Sequence, residues 1–236
     1  MIRRPVLLYA AATCIALVAL LPMRTALALA GARLAPLSAT AVEGTLWRAR
    51  LQGATWSGTP LGDVRLRIAP LALLRGAFEL HATGRTLSAD IRLAPGHGAR
   101  NVNGLLSLHL PGLDGLDLDL EARDVALRFA DGRCVAAGGT LQGLLSSVDA
   151  SAGWPSVALA ATPHCEDGDW VAAFADTDVA PGTPNRIQAR MALAADGRYH
   201  LATTVADADP ATAQALRASG FALRDGQLVH LAEGRL

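Results

Sequence analysis

His164, Cys165, Glu166 and Asp167, with Asp169 two places on, form the densest run of side chains able to bind a metal or move a proton. Neighbouring strand residues point to opposite faces, so contiguous ligands cannot all reach one ion. The C-x-x-C and His-x-x-x-His spacings of zinc sites are absent. The run therefore reads as a disulfide beside a polar turn. Asp117, Asp119 and Glu121 are a second candidate, because paired carboxylates can do acid/base work. At alternate positions of a strand they read instead as a solvated face. The six histidines, His81, His97, His109, His164, His200 and His230, are scattered. There is no Gly-x-Ser-x-Gly elbow and no glycine-rich phosphate loop before a helix. Gly96-His97-Gly98 is a loop tip. All 21 basic residues are arginine, which excludes lysine Schiff-base chemistry. The chain gives no argument for an enzyme, and no cofactor, metal or small-molecule substrate is expected.

The elements that hold these residues are strands. Apolar and polar residues alternate in Arg65-Leu66-Arg67-Ile68, Ser88–Leu93, Leu106–Leu110 and Leu116–Glu121. The same pattern recurs in Val125–Phe129, Val157–Ala161, Ile187–Leu193, Tyr199–Val205 and Gln227–Leu231. A period of two is the mark of a half-buried strand. Turn signals separate the runs: Gly58-Thr59-Pro60, Ala94-Pro95-Gly96, Pro111-Gly112, Asp131-Gly132, Pro181-Gly182, Asp196-Gly197 and Asp225-Gly226. Asp-Gly suits tight hairpins that need positive φ. The expected fold is mainly β, a curved antiparallel meander of about ten to twelve strands. With aromatics at 4%, an open half-barrel-like sheet fits better than a thick sandwich. One short helix is expected near the C-terminus, with Asp209 as N-cap, Pro210 at the first turn, Ala211–Ser219 as body and Gly220 as stop. Pro70–Gly76 reads as a turn, a short helix or a strand end.

The chain has 236 residues, and its 51% hydrophobic content includes 48 alanines. That composition excludes a disordered, collagen-like or polytopic membrane chain. From residue 37 onward there are 17 basic and 21 acidic residues, the opposite of a nucleic-acid-binding bias. Arg3 and Arg4 precede Pro5–Met23, a run of 19 uncharged residues. As a helix it spans about 29 Å, close to the hydrocarbon core of a bilayer. The positive-inside rule puts the N-terminus in the cytoplasm. A cleaved signal peptide is the other reading, since Ala28-Leu29-Ala30 is A-x-A-like. The length of the run and Arg24 behind it favour an uncleaved anchor. The expected layout is a tail, transmembrane anchor and linker over 1–36 and a periplasmic β-rich domain over 37–236. The expected location is a bacterial inner membrane, single-pass. Cys134 and Cys165 lie in the exported part, 31 residues apart, and are expected to pair in an oxidising compartment. Two free buried thiols are the alternative.

Val42-Glu43-Gly44-Thr45-Leu46-Trp47-Arg48-Ala49 follows the apolar run. Leu61-Gly62-Asp63-Val64-Arg65-Leu66 and then Pro70-Leu71-Ala72-Leu73-Leu74-Arg75-Gly76 come next. This order resembles type II secretion system protein N of the general secretion pathway, whose periplasmic domain opens with V-x-G-T-L-W-x-G. That family continues with L-G-x-V-x-W-x-L-x-P-x-x-L-L-x-G. Ala49 stands where the family usually has Gly, and Arg65 near where it usually has Trp. The resemblance implies a single-pass inner-membrane protein whose β-rich domain joins the machinery that exports folded proteins across the outer membrane. It implies partners among the inner-membrane platform proteins and no catalytic residues.

Gly44, Leu46, Trp47, Pro70, Leu73, Leu74 and Gly76 are the candidate motif and interaction residues. Trp47 reads as a core residue, with a membrane-surface anchor as the alternative. Pro70–Gly76 reads as a hydrophobic corner, with a docking surface as the alternative. Gly44 and Gly76 read as backbone-geometry residues. The other functional class is a lipid-handling module, because a curved sheet with an apolar concave face resembles AsmA-like periplasmic bridge proteins. An inner face filled by its own side chains favours a scaffold, and an open apolar groove favours lipid.

Overall fold

Two-residue periodicity becomes antiparallel sheet along most of the chain. The computed structural model describes residues 13, 16, 20–30, 37–56, 59–73, 75–109, 116–147, 156–177 and 184–235. Sixteen strands lie among them, against the ten to twelve expected. The excess comes from short pieces, too brief for alternation to show. The chain divides into two compact units, Met1–Arg85 and Thr86–Leu236.

The first unit begins with helix α1 (Met23–Ala30). Strands β1 (Leu37–Ser38), β2 (Ala41–Thr45), β3 (Arg48–Trp56), β4 (Thr59–Ile68) and β5 (Phe78–Thr83) follow, with α2 (Pro70–Leu73) between the last two. β1 and β2 pair successively along one edge of β3, and β3, β4 and β5 continue the sheet in order. Its core is small: Met23, Ala49, Leu51, Ala54, Val64 and Leu66. The expected transmembrane helix over Pro5–Met23 falls mostly outside the described residues. Among the described residues no helix is long and apolar enough to cross a membrane. The described helix α1 has eight residues, about 12 Å, and uses Met23 and Leu27 to pack on this core.

The second unit holds β6 (Leu87–Ala94), β7 (His97–His109), β8 (Leu116–Ala130), β9 (Arg133–Ser147), β10 (Val157–Ala161), β11 (His164–Glu166) and β12 (Asp169–Asp176). It continues with β13 (Arg186–Leu193), β14 (Arg198–Ala206), α3 (Pro210–Ala218), β15 (Ala222–Arg224) and β16 (Gln227–Arg235). Its order is β6-β7-β8-β9-β10-β12-β13-β14-β16-β15, and β11 pairs with β12. Among the described residues β6 and β15 are not paired with each other, so the sheet is open.

The leucine run 116–121 and the run 125–129 are one strand. Inward residues are Leu120 and Ala122 before the bulge at Arg123–Asp124, and Val125 and Phe129 after it. One extra residue moves the apolar set from even to odd positions, which hides the continuity from alternation. Asn103 holds the bulge: its side-chain oxygen accepts from Asp124 N–H at 2.8 Å, and its amide donates to Asp124 Oδ1 at 3.1 Å. Asp131-Gly132 and Asp225-Gly226 turn with positive φ at both residues, as tight hairpins require. The turn signals at Pro111-Gly112 and Pro181-Gly182, and Gly58, lie outside the described residues.

The sheet of this unit curls. Trp170 on β12 donates from Nε1 to the Ala126 carbonyl on β8 at 3.2 Å. His97 at the start of β7 bonds through Nε2 to the Ala195 carbonyl in the β13–β14 turn at 2.8 Å. The inner face is filled by Phe129, Leu141, Trp170, Ala172 and Leu193 in one cluster. A second cluster joins Leu145, Leu159, Ile187, Val205 and Leu228 to Leu216 of α3 and to Phe221. α3 begins where expected. The Asp209 carboxylate accepts from the N–H groups of Ala211 and Thr212 and from the side chains of Thr212 and Asn185.

Candidate functional site

Gly44, Leu46, Trp47 and Pro70 lie at one end of the first unit. β2 and β3 form a hairpin closed by Thr45 opposite Arg48, which leaves Leu46 and Trp47 as its two-residue turn. Gly44 lies at φ +92°, and a Cβ there would collide with the Arg48 carbonyl oxygen. Glycine is therefore required for the strands to approach. Leu46 leans on the small core. Its N–H donates to the Leu21 carbonyl at 2.9 Å, and Pro22 bridges to Thr45. The end of the apolar N-terminal run is thus stitched to the motif hairpin.

Trp47 is not a core residue. It is half-buried and lies outside the hydrophobic cluster. Leu46 takes the inward place, and the turn carries Trp47 beyond it. Its carbonyl accepts from Ile68 N–H at 3.2 Å. With Arg48, Arg67, Ile68 and Pro70, Trp47 lines an open apolar hollow of about 340 Å³.

Pro70–Gly76 resolves into a capped turn of helix. Pro70 suits the first helical position, where no N–H is needed. Gly76, at φ +71°, donates to the Leu73 carbonyl at 3.0 Å, and Ala77 donates to the Ala72 carbonyl at 2.9 Å. This pair of bonds is a Schellman cap, which favours glycine at the left-handed position. Ala77 is buried and Leu73 is 37% exposed. Leu74 lies outside the described residues.

Beside this end runs a ladder of arginines. Arg48 stands opposite Arg67 and Arg50 opposite Arg65. All four are exposed. Arg50 bonds Asp63 at 2.8 Å, which holds the Asp63 carboxyl below its usual range and raises Arg50. Among the described residues no carboxylate pairs with Arg48, Arg65 or Arg67. The sequence carried the signal, arginine at alternate positions of two adjoining runs, but only their joint placement makes a cluster.

The other candidates separate. Cys134 and Cys165 form a disulfide, with Cα atoms 5.6 Å apart. It ties β11 to β9, and Cys134 N–H also donates to the Gly168 carbonyl. Beyond Thr162-Pro163, β11 extends the line of β10 along β12, and the disulfide secures that extension. His164 and Arg190 both contact the Glu166 carboxylate, at 3.1 and 2.9 Å, and Arg190 is the larger cause of its lowered pKa. Asp119 accepts from Ser107, and Glu121 from Arg123. Each carboxylate therefore has its own partner. All of these residues lie in the second unit.

Residues 35–229 match the family described as Type II secretion system (T2SS), protein N. The chain belongs to this family. No curated protein and no solved structure matches it. Membership makes the chain a structural component of a type II secretion system and so of the cell envelope. Where the family usually has Gly, Ala49 is buried beside Gly44. Arg65, near the family's Trp, faces solvent, and its neighbour Leu66 fills the inward position.

Proposed function

We propose that this family member is a membrane-anchored periplasmic part of the type II secretion machinery that works by holding other parts in place. Residues 1–36 act as tail, inner-membrane anchor and linker, and residues 37–236 as the periplasmic region. The anchor confines the β-rich region to the membrane surface, which raises its effective concentration for the platform proteins. Gly44, Leu46, Trp47, Pro70, Leu73, Leu74 and Gly76 form the contact end. Exposed strand edges supply backbone groups that a partner strand can extend.

The observation that carries a scaffolding role is the filled inner face of the second unit. Phe129, Trp170, Ile187 and Leu228 are all buried there, and α3 adds Leu216. A lipid-handling groove needs that face open to acyl chains, so the packing favours the scaffold.

A clean deletion tests the reading. Proteins in the culture medium are compared with those in the periplasm. The expected result is that particular folded enzymes leave the medium, accumulate in the periplasm and return on complementation. An unchanged secreted profile with an outer membrane newly permeable to detergent would overturn it in favour of lipid handling.

A further inference from the structure

Like charges directly opposite each other on a sheet destabilise it. Arg48 facing Arg67 and Arg50 facing Arg65 therefore work against the fold. The acids are uneven along this ladder. Asp63 pairs with Arg50, and Glu43 lies opposite Arg50. Among the described residues Arg48, opposite Thr45, and Arg67, opposite His81, have neither. The positive charge is thus concentrated where a half-buried tryptophan and Pro70 border an apolar hollow.

The backbone fixes what lies next to that end. Leu21 and Pro22, the last part of the 19-residue uncharged run, bond to Leu46 and Thr45. Exposed Arg24 follows them. A chain leaving a bilayer at Leu21 therefore sets the Leu46–Trp47 turn at the surface it leaves. Tryptophan favours that interfacial depth, where an apolar ring meets water. Arginines near an anionic leaflet each gain from its negative potential, within a Debye length.

From these observations we infer that the β2–β3 hairpin end is a membrane-contact site for anionic phospholipid headgroups. Arg48, Arg65 and Arg67 meet the phosphates and Trp47 sits among the headgroups. The inference rests on the anchored reading above. It explains why arginines that oppose the fold stand beside the tether. The contact presses the Trp47 turn onto the leaflet to which the stitched tether brings it.

The test uses the full chain reconstituted into two kinds of vesicle. One contains phosphatidylethanolamine with phosphatidylglycerol and the other phosphatidylcholine alone, each doped with lipid brominated close to the headgroup. Co-flotation at alkaline pH reports the anchor. The Trp47 signal is the tryptophan quenching lost in Trp47→Phe. The expected result is co-flotation in both vesicles and Trp47 quenching that is markedly stronger in the phosphatidylglycerol vesicles. That excess is lost on raising salt from about 0.1 to 1 M. It is also lost in Arg48→Gln/Arg67→Gln, with a melting temperature that is not lowered. Quenching equal in both vesicles, or indifferent to salt and to the arginine variant, overturns the headgroup site while the anchor stands. Absence of quenching in both vesicles, with co-flotation intact, also overturns it and turns the arginines toward an acidic protein partner. Failure to co-float overturns the anchor and this inference together.

Discussion

The first unit closes on six small or medium side chains, Met23, Ala49, Leu51, Ala54, Val64 and Leu66. It leaves Trp47 half-buried outside that cluster and sets arginines against arginines. The second unit buries Phe129, Trp170, Ile187, Phe221 and Leu228, adds a capped helix over them, and ties two strands with a disulfide. Buried apolar area is the main source of stability. The difference therefore assigns separate tasks. The second unit is built to stay folded, and in the proposed function the first spends part of its surface on contact.

The largest effect is expected in the second unit's core. Phe129 is 2% exposed, and Phe129→Ala should cost about 3–5 kcal/mol, read as a lower melting temperature. A small loss would mean that this core is looser than the packing implies. Next comes the disulfide. Cys134→Ser should cost about 3 kcal/mol, and reductant should lower the wild-type melting temperature to match. Equal melting with and without reductant would break the contrast between the units. The smallest of the three is a pH effect at the helix cap. Hydrogen bonds, first from Thr212 N–H, lower the Asp209 carboxyl from 3.8 to about 2. A depressed folded pKa stabilises above the unfolded value and loses that benefit as pH falls. Stability should therefore decline from about pH 4 toward pH 2, and Asp209→Ala should flatten that decline. A decline unchanged in the variant would assign acid sensitivity elsewhere.

Much of the fold was legible because alternation and turn chemistry act locally. Asp131-Gly132 and Asp225-Gly226 turn as their residue types demand, and Asp209-Pro210 opens α3. The continuity of β8 was not legible, because its bulge shifts the apolar phase at Arg123–Asp124. Nor was the bond between Leu21 and Leu46, since no residue type signals a backbone contact across 25 positions. The motif glycines were legible as conformational residues. Trp47 was not, because size and apolarity alone suggest a core, whereas its place in a two-residue turn puts Leu46 inward instead. The arginine ladder needed the pairing of β3 with β4 before it became a cluster.

The division of labour is tested most directly by Trp47→Ala in a deletion strain, with the melting temperature of the purified chain and the enzymes in the medium measured side by side. The account predicts a stability loss of about 1 kcal/mol or less together with a strong fall in secretion. A loss of about 3–5 kcal/mol, the cost of truncating a core aromatic, would contradict it, as would normal secretion from a stably folded variant.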